Sequence, residues 1–169
     1  MADNAGHYVH TNLGPKLTAA VNDTLDNSYD TTDLAIDRTG NSHSGSETSI
    51  TLDVYYWNNH YAPANLYGYE VCIDGNSDPE ECDHFHVAFH GDYIVELGYA
   101  NDALALKAMA CHETGHTVGL THPSDAALPA VDSVDYFRCL QDPVTEIDHW
   151  PFQLMGAHNV EHVDATPHY

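Results

Sequence analysis

Thirteen residues from Cys111 to Pro123, CHETGHTVGLTHP, hold three histidines, one glutamate and two glycines. Residues four apart on a helix point the same way, so His112 and His116 can offer two imidazole nitrogens to one ion. Two ligands alone bind weakly. Gly119 is placed as a helix stop, because a residue without Cβ takes the left-handed conformation that ends a helix. His122 can then swing back with a third nitrogen. Three protein ligands around a tetrahedral zinc leave one position open, as in catalytic rather than structural zinc sites. Glu113 projects about 100° around the helix from His112, toward the open position rather than the ion, which makes it the natural general base. Zinc lowers the pKa of bound water to about 7, and the carboxylate takes its proton as the water attacks a carbonyl polarised by the same ion. The proton then goes to the leaving nitrogen.

Chance is the competing explanation in a chain with 14 histidines. A shuffle of this composition yields HExxH with a probability of about 5%, and adding Gly119 and His122 at their fixed places lowers it to about 0.03%. The pattern is therefore read as a metal site.

The elements that must carry it follow from periodicity. A short extended segment at Tyr8 to Thr11 precedes a helix from about Pro15 to Ser28, where Pro15 suits a first turn and Leu17, Ala20, Val21 and Leu25 recur at the helical period. Period-two alternation then marks up to five strands: Leu34 and Ile36; Ile50 to Tyr56; Tyr67 to Ile73; Phe85 to Phe89; and Tyr93 to Tyr99. From Asp102 the period changes to 3.6. Leu104, Ala108, Cys111, Gly115 and Val118 share one stripe, with Met109, His112 and His116 beside it, so the motif sits on a long helix. Beyond Gly119 the chain reads as irregular apart from a short helix around Asp132 to Leu140.

The length suits one domain with a real core, residues 1–169, with an upper part to about 119 and a looser lower part from about 120. Against 26 acidic residues stand four Lys and Arg, a formal net charge of −22. Such a surface repels nucleic acid and anionic membranes and favours basic peptides in a salt-dependent way. It also serves solubility alone. No apolar run is long enough to cross a bilayer, and the opening residues lack a basic start and an apolar stretch, so an export signal would lie outside this chain.

Four cysteines, Cys72, Cys82, Cys111 and Cys139, are compatible with two disulfides and an oxidising, extracellular setting. Of the three pairings, Cys72 with Cys82 and Cys111 with Cys139 is favoured because the first pair brackets one short polar loop; free buried thiols are the alternative. That loop could hold Ca2+ through Asp74, Asn76, Asp78 and Glu80, although it is not an EF-hand and an acidic surface loop is the plainer reading.

HETGHTVGLTH fits HExxHxxGxxH, and the chain resembles the metzincin clan of zinc endopeptidases, with local similarity to serralysins, matrixins and snapalysin. The resemblance implies an α+β fold: a twisted, mostly parallel sheet with an antiparallel edge strand, a first helix and a zinc-binding helix, and a small irregular C-terminal subdomain. It implies Zn2+ on His112, His116 and His122, Glu113 as catalytic base, and Met155, in FQLMGAHN, supporting the zinc site from a tight turn below. Where some members carry a transition-state tyrosine two residues past the methionine, this chain has Ala157. Only a very short final helix is expected after Met155, and any segment imposing latency would lie outside this chain.

Other histidines have weaker claims. His84, His86 and His90 alternate with Phe85, Val87 and Phe89, and read either as a second, structural zinc site or as the solvated face of an edge strand. His149, His158, His162 and His168 crowd the C-terminal end as surface histidines, while Tyr136, Phe137 and Trp150 could shape a substrate pocket. The reading is a secreted zinc endopeptidase acting on protein or peptide substrates. The alternatives are a non-catalytic zinc-binding module, or a zinc hydrolase of a non-peptide amide.

Overall fold

The computed structural model describes residues 4–32, 35–37, 54–59, 67–75, 82–90, 92–93, 102–120, 122, 138–140 and 154–165. These form strands β1 (Asn4–Val9), β2 (Ala35–Asp37), β3 (Val54–Asn58), β4 (Gly68–Gly75) and β5 (Cys82–Phe89), and helices α1 (Gly14–Asn27), α2 (Asp102–Thr117) and α3 (Ala157–Ala165). Single 3-10 turns at Thr11–Leu13 and Tyr29–Thr31 flank α1. The fold is α+β.

The sheet runs β2-β1-β3-β5-β4. All pairs are parallel except β4 with β5, so β4 is an antiparallel strand at the edge. The Cys72–Cys82 disulfide closes the β4–β5 hairpin with Cα atoms 5.9 Å apart. Among the described residues no helix is long and apolar enough to cross a membrane.

One face of the sheet meets both α1 and α2. Leu17, Val21 and Leu25 of α1, Tyr56, Val87 and Phe89 of the sheet, and Ala105, Leu106 and Met109 of α2 form one buried cluster. Pro15 starts α1, as its fixed φ and missing N–H suit a first turn. Lys107 of α2 meets Asp23 of α1 at 2.9 Å, a partly exposed pair worth about 0–1 kcal/mol beside the apolar contact.

Several expectations shift. The first strand lies at Asn4–Val9, earlier than Tyr8 to Thr11, because it pairs with β2 through Asn4 to Gly6 and with β3 through His7 to Val9. The fifth strand of the sheet is this one. Asp92 and Tyr93 are helical instead, and 94–100 lie outside the described residues. β5 is an interior strand, not an edge, so His84 is only 6% exposed rather than solvated.

On β4 the alternation was legible but its facing was not. Gly68 pairs with Phe89 and Glu70 with Val87, both buried, so Gly68 and Glu70 face the helices. Val71 and Ile73 therefore point away from the core and are 41% and 42% exposed. Nor is α2 a striped helix: Ala105, Leu106 and every residue from Ala108 to Gly115 are buried. Arg138 to Leu140 form a bridge and turn rather than the end of a helix, and α3, with nine residues, is longer than the very short helix expected.

Candidate metal centre

The site is built by the end of α2. Gly119 has φ +82°. Its N–H bonds to the carbonyl of His116 at 3.0 Å, and the N–H of Leu120 bonds to the carbonyl of Gly115 at 3.1 Å. Those two bonds are a Schellman motif, in which the left-handed residue lets the last carbonyls of the helix find donors. Reversing the chain there does two things for the histidines. It turns the carbonyl of Leu120 back to accept from His116 Nδ1 at 2.8 Å, and it brings His122 beside the helix.

A second segment fixes His112. Its Nδ1 donates to the carbonyl of Cys139 at 2.7 Å. Cys139 is held there by its disulfide to Cys111, the residue before His112, with Cα atoms 5.8 Å apart. Leu140 lies over Gly115, where an added Cβ would come within 2.9 Å of Leu140 Cδ2. The glycine of HETGH thus makes room for the chain that positions the first histidine. Both disulfides take the favoured pairing.

These bonds settle the tautomers. A carbonyl oxygen only accepts, so His112 and His116 each carry their proton on Nδ1 and present a lone pair at Nε2. The two Nε2 atoms nevertheless stand 3.2 Å apart, and His122 Nε2 stands 2.9 Å from His112 Nε2. A neutral His122 can donate its Nε2–H to His112, whereas the facing lone pairs of His112 and His116 would be relieved by a cation held between them. Nitrogens about 2.0–2.1 Å from one tetrahedral ion are about 3.3 Å from each other, close to the spacing found. The three ligand atoms lie within 4.8 Å of one another, and this is the only such group of three among the described residues that could hold a metal ion. Burial first, then the neighbouring His116, push the His112 pKa down to about 4, which keeps that ring neutral and able to ligate.

Glu113 is 5% exposed and faces the edge strand. A Cβ on Gly68 would lie 2.9 Å from its Cγ and from its Oε1, so only glycine admits this carboxylate against β4. Burial, and secondly the charge of Glu70 on the same face of β4, push its pKa up to about 8. Its neighbour Thr114 accepts a hydrogen bond from Tyr56 at 3.3 Å, and Tyr56 in turn meets His7 Nδ1 at 3.0 Å, a buried chain tying α2 to β3 and β1.

Met155 is buried in the core. It pairs with Arg138 in an antiparallel bridge, its N–H donates to Ser28 Oγ at 3.3 Å, and the N–H of Cys139 donates to the carbonyl of Leu154 at 3.4 Å. It is therefore joined through the backbone to the segment that holds His112. Ala157 is the exposed first residue of α3.

The remaining sites fare differently. His84 and His86 have ring centroids 5.1 Å apart, but among the described residues they and His90 do not form a three-ligand group. The row is set by strand alternation: His86 lies 4.9 Å from the ring of Tyr55 on β3, and His90 stacks on Tyr93 at 5.4 Å. Asn76, Asp78 and Glu80 of the calcium loop, together with Tyr136, Phe137, His149, Trp150 and His168, lie outside the described residues. Sequence reasoning missed Gly68, Glu70 and the two carbonyl acceptors. Gly68, inside an alternating strand, was a readable sign of close backbone approach; the acceptors leave no mark in residue identity.

Compared with known proteins, the chain matches no family model, no curated protein and no solved structure.

Proposed function

We propose that the protein is a zinc-dependent endopeptidase of the metzincin type, acting in an oxidising, extracellular compartment. The observation that carries this reading is the convergence of three Nε2 atoms whose two helical members are oriented by Nδ1–H bonds to carbonyls. All-nitrogen sets of this kind suit zinc. Zinc held there would polarise a carbonyl and make water nucleophilic near neutral pH.

The chain's own residues supply the rest. β4 ends the sheet, and no described strand pairs with its outer edge, so an extended peptide can add to it by main-chain hydrogen bonds. Glu113, on α2 beside His112 and against β4, is the base: the charge of zinc held by the neighbouring histidines would offset the burial that pushes its pKa up to about 8, and the ionised carboxylate takes the proton of the attacking water and passes it to the leaving nitrogen as the C–N bond breaks. The products are a carboxylate and an amine. His112, His116 and His122 hold the metal. Met155 supports them through the Arg138 bridge and the segment bonded to His112. With Ala157 in place of a tyrosine, no side chain from that position assists the developing oxyanion.

One observation favours a non-catalytic metal-binding module instead: Glu113 is almost wholly enclosed by β4 and α2. Glu113→Ala separates the two readings. The endopeptidase retains one zinc per chain and loses cleavage of casein or gelatin, a loss of about 100-fold or more for a general base. If wild-type and variant show equal cleavage, or neither cleaves, the endopeptidase reading with Glu113 as its base fails.

A further inference from the structure

The C-terminal helix repeats part of the metal centre. His158 and His162 lie four apart on α3, with ring centroids 4.9 Å apart and planes at 82°. His112 and His116 on α2 have centroids 4.8 Å apart and planes at 90°. Two imidazoles one helical turn apart can both reach a single ion, and the spacing and tilt of these rings match those of the His112–His116 pair.

The pair is fixed rather than fraying. Asn159 and Val163, its neighbours on the helix, are buried at 3% and 1% exposure, which sets the rotation of α3 against the core. Its first turn is tied by the bond from the N–H of Val160 to the carbonyl of Gly156 at 3.1 Å. His158 is thereby placed at the edge of the buried face and His162 in solvent.

We propose that His158 and His162 form a second, solvent-accessible binding site for a late first-row divalent transition ion, separate from the three-histidine centre. Two imidazoles in place of three, with the remaining positions filled by water, make it the weaker site. The donor set favours ions that take nitrogen and water in open geometries, Ni2+ and Cu2+ ahead of Mg2+ or Ca2+. Peptide hydrolysis is not required for it, so it stands or falls independently of the proposed function.

Calorimetric titration of the zinc-loaded protein with Ni2+ tests it. The wild type should take up one equivalent without releasing zinc. His162→Ala and His158→Ala should each weaken that binding by about tenfold or more, the advantage of a second ligand already tethered at the site, while zinc content and the circular dichroism spectrum stay unchanged. Nickel affinity that survives either substitution, or nickel uptake matched by zinc release, overturns the proposal.

Discussion

Replacing Gly119 by alanine strikes the turn that joins the helix end to the third histidine. Nothing lies within 4 Å of the place a Cβ would occupy, so the cost is confined to the backbone at φ +82°. Holding an L-residue in the left-handed region costs about 1–2 kcal/mol, and less for asparagine, whose side chain bonds locally. That strain can surface in two places. If the metal-free chain keeps the turn, its unfolding free energy in urea falls by the full amount and zinc affinity is untouched. If the turn relaxes, metal-free stability is spared, but His122 and the carbonyl of Leu120 leave their positions, and zinc must restore them. Affinity then falls about tenfold for each 1.4 kcal/mol. The sum of the two losses is what the structure fixes, at about 1–2 kcal/mol for Gly119→Ala and less for Gly119→Asn. Urea unfolding of metal-free protein and competition with a chromophoric chelator measure the two parts. A combined loss near zero for alanine, or a greater one for asparagine, would refute this role for the turn.

Removing the second disulfide with Cys111→Ala and Cys139→Ala frees a loop spanning a sequence separation of 28, which on the chain-entropy model lowers stability by about 3.6 kcal/mol. It should also weaken zinc binding about 10–100-fold by loosening the carbonyl that orients His112, so a folded variant with unchanged zinc affinity contradicts the role given to Cys139. Tyr29→Phe should raise stability by about 1 kcal/mol, because the buried Tyr29 hydroxyl has no hydrogen-bond partner among the described residues. Burial, and secondly Tyr56, hold the Tyr29 pKa well above 10.0 in the fold, so the unfolded chain loses this proton first and wild-type stability falls as pH climbs past that value. Melting curves at neutral and alkaline pH check both: the variant should melt higher and lose less on the alkaline side, and a lower neutral melting temperature would count against the unpaired hydroxyl.

Spacing made the centre legible. His112, His116, Gly119 and His122 could be placed because helix period and the left-handed stop depend on residue type and distance alone. The α1 boundaries were legible for the same reason, from Pro15 and the Leu17 to Leu25 repeat. What escaped was whatever depends on the partner. Val71 and Ile73 alternate like core residues, yet the pairing of Glu70 with Val87 turns them outward, a register that no single strand encodes. The histidines of β5 alternate as an edge strand's solvated face would, yet β4 returns antiparallel to cover that strand. Carbonyl acceptors such as those of Leu120 and Cys139 belong to the backbone, which every residue shares.

Zinc-edge X-ray absorption on protein carrying one equivalent of zinc reads the ligand shell of the three histidines itself. The expected spectrum shows three imidazole nitrogens and one exchangeable oxygen ligand at about 2.0–2.1 Å, and His122→Ala removes one of the three imidazoles. A fourth protein ligand closing the shell, or a spectrum indifferent to His122, would contradict it.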